Sequence, residues 1–121
     1  MIAIINQVFE IQQKLQQRGD NIADRNLKRI YHEFETLGYT IIDPAGRDYK
    51  ETDTDIEATL SGGISAGMKI TRVLKPIIYH AETGLQASLV QKGIVIAQGR
   101  RSKEGVIGIA NYLDGNRFSG A

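Results

Sequence analysis

This chain lacks cysteine and tryptophan, and it has only two prolines among its 121 residues. Without cysteine, the sequence excludes a disulfide framework, a thiolate nucleophile and a zinc site with cysteine ligands. An excess of one charge is also missing, because fifteen lysines and arginines nearly balance fourteen aspartates and glutamates. No bulk electrostatic field therefore favours nucleic acid or an acidic membrane as a partner.

Long hydrophobic runs are scarce as well. The apolar N-terminus has no basic start and is interrupted by Asn6, Gln7 and Glu10. It therefore fits neither a signal peptide nor a membrane span, and we expect a cytoplasmic protein. A chain of this length forms one modest domain, or one small domain with a helical appendage.

Apolar residues at helical spacing predict two helices near the N-terminus, roughly at 2–17 and 21–37. Between them, Gly19 is a typical helix stop and Asp20 a typical N-cap, and Gly38 would end the second helix. Each helix carries one apolar stripe, and we predict these stripes as the dimerisation surface: Ile4, Val8, Ile11, Leu15, Leu27, Ile30 and Phe34.

Two interpretations of these stripes remain open. The helices could pack on the β-part of their own chain, because short helices are marginal unless one face is buried. Alternatively, two helices from each of two copies could form a four-helix bundle, giving a homodimer. The heptad-like spacing favours the second interpretation.

After Gly38 the sequence changes to short apolar runs separated by glycine-containing turns, which predicts a compact β-domain. We therefore expect an α+β fold: a helical dimerisation segment at 1–37, a small all-β domain at 38–112 and a flexible tail at 113–121. Two apolar runs joined by a polar turn predict a hairpin at 89–110. Its core face would consist of Ile94, Ile96, Ile107 and Ile109.

A search for chemistry gives no catalytic residue, metal site or cofactor. Glu51, Asp53, Asp55 and Glu57 alternate as on a solvated strand, and they lack the glycine and glutamate spacing of an EF-hand. The glycine-rich stretch 62–67 lacks the lysine position of a phosphate loop. Lys69 resembles the modified lysine of biotin carrier domains only weakly, and neither histidine has a nucleophile nearby in the sequence. We expect a protein that is not an enzyme.

The stretch Leu89-Val90-Gln91-Lys92-Gly93-Ile94, with Gly99-Arg100 and the apolar run 106–110 after it, resembles the last hairpin of GrpE, the nucleotide exchange factor of bacterial Hsp70 chaperones. Upstream, Phe34-Glu35-Thr36-Leu37-Gly38-Tyr39 is similar to the end of that family's helix. Glu57-Ala58 is similar to a Glu-Ala step in its β-domain. The resemblance spans roughly residues 27–112.

This resemblance implies a dimeric co-chaperone that binds an Hsp70-type chaperone through its β-domain and promotes ADP release. A factor of this kind binds the open nucleotide cleft better than the closed one. The partner-binding residues that it implies are Gln91, Lys92, Gly93, Gly99 and Arg100. The alternative is a non-enzymatic dimeric scaffold with a GrpE-like body, which the short helical part and the missing Asp-Pro and His of the family's β-domain favour.

Overall fold

The computed structural model describes residues 1–62 and 67–99. Two helices precede several short strands, which confirms the predicted α+β fold. The elements in chain order are α1 (Ile2–Gln17), α2 (Asp24–Thr36), β1 (Tyr39–Ile42), β2 (Ile56–Ser61), β3 (Lys69–Lys75), β4 (Ile77–His80), β5 (Ser88–Gln91) and β6 (Gly93–Gln98).

The two helices end where the sequence predicts. At the end of α1, the Gly19 amide donates to the Gln16 carbonyl at 3.0 Å and the Asp20 amide to the Leu15 carbonyl at 2.9 Å. These are the two hydrogen bonds of a Schellman motif. The start of α2 is later than predicted, at Asp24, because the Asp20 carboxylate accepts from the Ile22 amide within the turn and does not cap the helix.

The strands form two three-stranded sheets. The first has the order β1-β4-β5 and is antiparallel throughout. The second has the order β2-β6-β3, in which β6 is parallel to β2 and antiparallel to β3. Only Pro76 separates β3 from β4, and only Lys92 separates β5 from β6. These four strands therefore form one long antiparallel pair that passes from the first sheet into the second.

The position of β6 shows that one sequence prediction is wrong. The predicted hairpin pairs the strand at 94–96 with the apolar run at 106–110. In the structure β6 lies between β2 and β3, so both of its hydrogen-bonding edges are occupied. The run 106–110, including Ile107 and Ile109, lies outside the described residues.

The predicted core face of this strand is also wrong. Strand side chains alternate between two faces, and the buried residues of β6 are Gly93, Val95 and Ala97. Ile94 and Ile96 lie on the opposite face and are half-buried. A run of consecutive β-branched residues marks a strand, but it does not say which face is inside.

Helix α1 packs on both sheets of its own chain. Phe9 is 3% exposed and contacts the core of the second sheet, and Ile5 is fully buried against Ile78 of the first. Burying a side chain such as Phe9 stabilises a fold by roughly 1.5–3 kcal/mol. The helices therefore share the core of the β-part. The residues of the two clusters are Phe9, Ile56, Ile70, Val73, Ile77 and Val95, and then Ile5, Phe34 and Ile78.

Candidate functional site

The Gln-Lys-Gly element lies where the long antiparallel pair crosses from one sheet to the other. We call Pro76, Gln91, Lys92 and Gly93 the junction. Proline has no amide hydrogen, so a ladder cannot continue through Pro76, which is buried here. Because β3 pairs with β6 and β4 pairs with β5, the break in β3–β4 and the break in β5–β6 lie near each other.

The Gln91 side chain bridges this break with hydrogen bonds. Its Nε2 donates to the Pro76 carbonyl at 2.8 Å and to Asn6 Oδ1 at 2.9 Å. In return, Asn6 Nδ2 donates to Gln91 Oε1 at 2.9 Å. This paired amide joins α1 to β5, and it also satisfies the backbone carbonyl of Pro76. Gln91 thus has a structural role, in which both amide hydrogens of its side chain are already used.

Gly93 is required by close packing at the junction. A Cβ atom at this position would lie 2.9 Å from Ile77 Cγ1 and 3.6 Å from the Lys75 carbonyl oxygen. The Gly93 amide donates to the Asp55 carbonyl at 2.9 Å, which aligns β6 with the start of β2. This glycine therefore serves the fold and does not shape an exposed turn.

The other three predicted contact residues differ in their surroundings. Lys92 is exposed between β5 and β6, which leaves its ammonium group accessible. Gly99 is half-buried after β6, and its amide donates to the Ser61 carbonyl at 3.4 Å. Arg100 lies outside the described residues. Among the described members of the predicted site, Lys92 is the one whose charged side chain faces solvent.

The predicted dimerisation stripe on α1 lies beside the face that the fold buries. Ile5 and Phe9 pack on the sheets, whereas Ile4 is 56% exposed and Ile11 50% exposed. Val8 and Leu15, from the same stripe, are half-buried. The apolar sector of α1 is thus wider than its contact with the sheets, and the two isoleucines remain uncovered within the described chain.

The predicted stripe on α2 is mostly used within the chain. Leu27 and Phe34 are buried, and Phe34 contacts Ile5 in one of the core clusters. Ile30 is 37% exposed. Of the α2 residues predicted for dimerisation, Ile30 alone is accessible to a second copy.

Two polar contacts that position α1 were not predicted from the sequence. Gln13 Nε2 donates to the Val73 carbonyl at 2.8 Å, and Gln12 Oε1 accepts from the Tyr31 hydroxyl at 2.8 Å. Desolvation by burial, with a further contribution from the Asp43 carboxylate, raises the pKa of Tyr31 to about 12. The hydroxyl of Tyr31 therefore stays protonated as a donor. The signal in the sequence that could have indicated such contacts was the presence of polar residues, Asn6 among them, within an amphipathic helix.

The histidines and acidic residues have local roles. His80 Nε2 bonds to the Leu37 carbonyl at 3.2 Å, and its ring lies 4.3 Å from that of Tyr39. Asp55 pairs with Arg47 at 3.0 Å, and Asp53 accepts from the Lys50 amide. Within residues 1–62 and 67–99, histidines and carboxylates form no group that could hold a metal ion. In the same part of the chain, no helix has the length and apolar character to cross a bilayer.

Comparisons of this chain with models of protein families, with curated proteins and with solved structures found no match.

Proposed function

We propose that this chain is a non-enzymatic protein-binding module that acts as a homodimer in the cytoplasm. The observation that supports this proposal is the uncovered row on α1, where Ile4 and Ile11 are half exposed beside a face that is already packed. Contact with a second surface that removes a row of apolar side chains from water is energetically favourable. A second copy presents the same row, so a two-fold pairing of α1 with α1 is self-complementary.

Replacing Ile4 and Ile11 with aspartate should convert the dimer to a monomer. Burying an unpaired carboxylate in an interface costs several kcal/mol, whereas both positions are exposed in the single chain and should tolerate the charge. Light scattering across a concentration series measures the change. Gln17→Asp, which adds a charge at an exposed position on a different side of α1 from Ile4 and Ile11, is the control and should remain dimeric. A wild type that is monomeric at every concentration would refute the dimer.

The partner that the resemblance implies is an Hsp70-type chaperone, for which the proposed activity is release of ADP. The observation that favours it is the exposed Lys92, the single residue between β5 and β6. Gln91 and Gly93 carry less weight as support, because both have roles inside the fold. The scaffold proposal therefore stands without the chaperone, and the chaperone proposal needs its own test.

Release of a fluorescent ADP from an Hsp70, followed by stopped flow while the factor is titrated, tests this activity. Lys92→Glu should weaken the apparent affinity roughly tenfold, or about 1.4 kcal/mol, because it reverses a charge at the contact. Lys28→Glu on the exposed surface of α2 is the matched control and should leave the titration unchanged. If the folded dimer at saturating concentration does not accelerate the release of ADP, the exchange-factor proposal is wrong and the scaffold proposal remains.

A further inference from the structure

Strand β5 is an edge of the first sheet. Its inner side pairs with β4, and no strand pairs with its outer side within residues 1–62 and 67–99. Strand β2 pairs with the next strand, β6, and begins opposite Gly93, so it does not extend alongside β5. The open stretch of edge is therefore Ser88–Gln91. Its outward backbone groups have no ladder partner among the described strands, and such groups can pair with another chain.

This edge lacks the features that usually protect an edge strand. Residues 83–91 contain no charged residue and no proline, although both are common on natural edges. The other edges differ. Glu57 lies within β2, Asp43 and Pro44 follow β1 directly, and the backbone of residues 46–49 bonds to the outer side of β3. Among the described edges, β5 is thus the one that neither charge, proline nor a covering segment protects.

Apolar side chains are exposed along this edge. Leu89 is 37% exposed, Val90 is 41% exposed, and Leu85 in the preceding loop is 66% exposed. Leu89 lies opposite Tyr79 of β4, which packs against the core cluster of the second sheet. An apolar side chain beside Leu89 on an added strand would extend this row, and cross-strand contacts of this kind stabilise a sheet.

A β-bulge gives this edge its shape. Ile78 lies opposite Gln91 and Tyr79 lies opposite Leu89, so Val90 is an extra residue in β5. A bulge bends and twists its strand. The twist hinders flat pairing with the edge of another rigid sheet, which disfavours a second copy of this chain. A short flexible segment can follow the twist, so the edge suits an extended peptide.

Lys92 gives the edge a positive charge at one end. It follows Gln91 directly and is exposed, and the two ion pairs within the described residues do not involve it. A carboxylate at this end of an added strand would bind an ammonium group that is available. Because residues 83–91 are uncharged, the charge pattern favours a segment that is apolar beside β5 and acidic beside Lys92.

We propose that the edge of β5 binds an extended segment of a partner protein as an additional antiparallel strand. This inference rests on the proposed protein-binding role, and it names the surface and the chemistry of the partner. The segment carries an acidic residue beside Lys92 and, a few residues later, an apolar residue beside Leu89. Main-chain hydrogen bonds supply affinity, and these two side chains supply specificity. An edge of this length gives weak, transient binding.

A displayed library of random peptides, selected on the full-length protein, tests this binding. We expect the recovered peptides to share an acidic residue followed by alternating apolar residues. Val90→Lys puts on this edge the kind of charge that protects natural edges, and it should lower the affinity of a recovered peptide roughly tenfold in fluorescence polarisation. Thr40→Lys adds the same charge at an exposed position on β1, the opposite edge of the same sheet, and should leave the affinity unchanged.

A charge reversal tests the specificity. The same selection on Lys92→Glu should return peptides with a basic residue in place of the acidic one, because the complementary charge has changed sign. A selection that returns no peptide would overturn the proposal. Recovered peptides that bind Val90→Lys and Lys92→Glu as tightly as the wild type would also overturn it, because they bind elsewhere.

Hydrogen exchange locates the bound peptide. In an antiparallel edge strand every second amide points outward, so these amides of β5 should exchange fast in the free protein and slowly when a recovered peptide is added. Outward amides that are already protected in the free protein would overturn the proposal. They would mean that the edge is occupied by the chain itself or by a second copy.

The variant with Ile4→Asp and Ile11→Asp separates this proposal from the dimer. Both isoleucines belong to α1 and not to the sheet, so the variant should bind the recovered peptides with unchanged affinity. A protein that is monomeric but binds these peptides would refute the dimer alone. A dimer that binds none of them would refute strand addition alone.

Discussion

Replacing Gly38 with alanine should destabilise the protein by roughly 2–5 kcal/mol. Gly38 follows α2 and has a φ angle of 91°, a conformation that side chains with a Cβ rarely adopt. A Cβ here would also overlap the Ala81 carbonyl oxygen, and the Gly38 carbonyl accepts from the Ala81 amide at 2.9 Å. The backbone of β1 cannot move away without breaking that hydrogen bond. Backbone strain and steric overlap therefore both contribute to the loss of stability at Gly38.

Gly84→Ala separates these two contributions. Gly84 has a similar φ of 78°, but a Cβ there would meet no atom within 4 Å. It should cost only the conformational penalty of roughly 1–2 kcal/mol. Urea unfolding of both variants at one fixed protein concentration measures the difference, and holding the concentration constant removes any effect of dimerisation. Equal losses of stability for the two variants would mean that the backbone at Ala81 moves to make room for the added Cβ. The close approach of Gly38 to Ala81 would then not be a constraint.

Local sequence patterns predicted the elements well, because helices and turns depend on neighbours in the chain. The end of α1 at Gly19 and the end of α2 before Gly38 both follow from capping chemistry near the residue concerned. The helix face was harder to predict. Helix α1 has two adjacent apolar sectors, and the sequence alone does not say which one meets the sheets. The structure buries Ile5 and Phe9 and leaves Ile4 and Ile11 exposed.

Strand pairing was not predictable from the same patterns. The sequence predicts a hairpin between 94–96 and 106–110 because the two runs are adjacent in the chain, whereas β6 in fact pairs in parallel with β2, far earlier in the sequence. A parallel neighbour needs a long connection, and its partner cannot be identified from local alternation. Pro76 was a usable signal: a proline in the middle of a strand pattern indicates an interruption where the sheet changes.

The candidate functional site is where the structure differs most from the sequence-based prediction. A residue that matches a known hairpin can be required by the fold or by a partner protein. The sequence motif alone does not distinguish these two roles. Asn6 was the unused signal, because a polar residue within an apolar helix stretch needs a hydrogen-bond partner when it is packed. The Asn6–Gln91 contact joins positions 85 residues apart, so no local rule connects them.

Replacing Gln91 with alanine should lower the free energy of unfolding by roughly 2–4 kcal/mol. The substitution leaves the Asn6 amide and the Pro76 carbonyl without their partners in a partly buried place. Gln86→Ala, at an exposed position in the loop before β5, is the control for residue type and should change stability by less than about 0.5 kcal/mol. Urea unfolding at fixed concentration gives both values. A loss as small as the control's would contradict the structural role.

A double-mutant cycle assigns the loss to the amide pair. Asn6→Ala and Gln91→Ala remove two ends of one contact, so their effects should fall short of additivity by about 0.5–3 kcal/mol. Gln91→Glu keeps the shape but points a carboxylate oxygen at Asn6 Oδ1 and the Pro76 carbonyl, where the amide donated. It should destabilise the protein at neutral pH. Part of the loss should be recovered on acidification, when the protonated carboxyl can donate again. A glutamate tolerated equally at every pH would mean that this side chain faces solvent and is free to bind a partner.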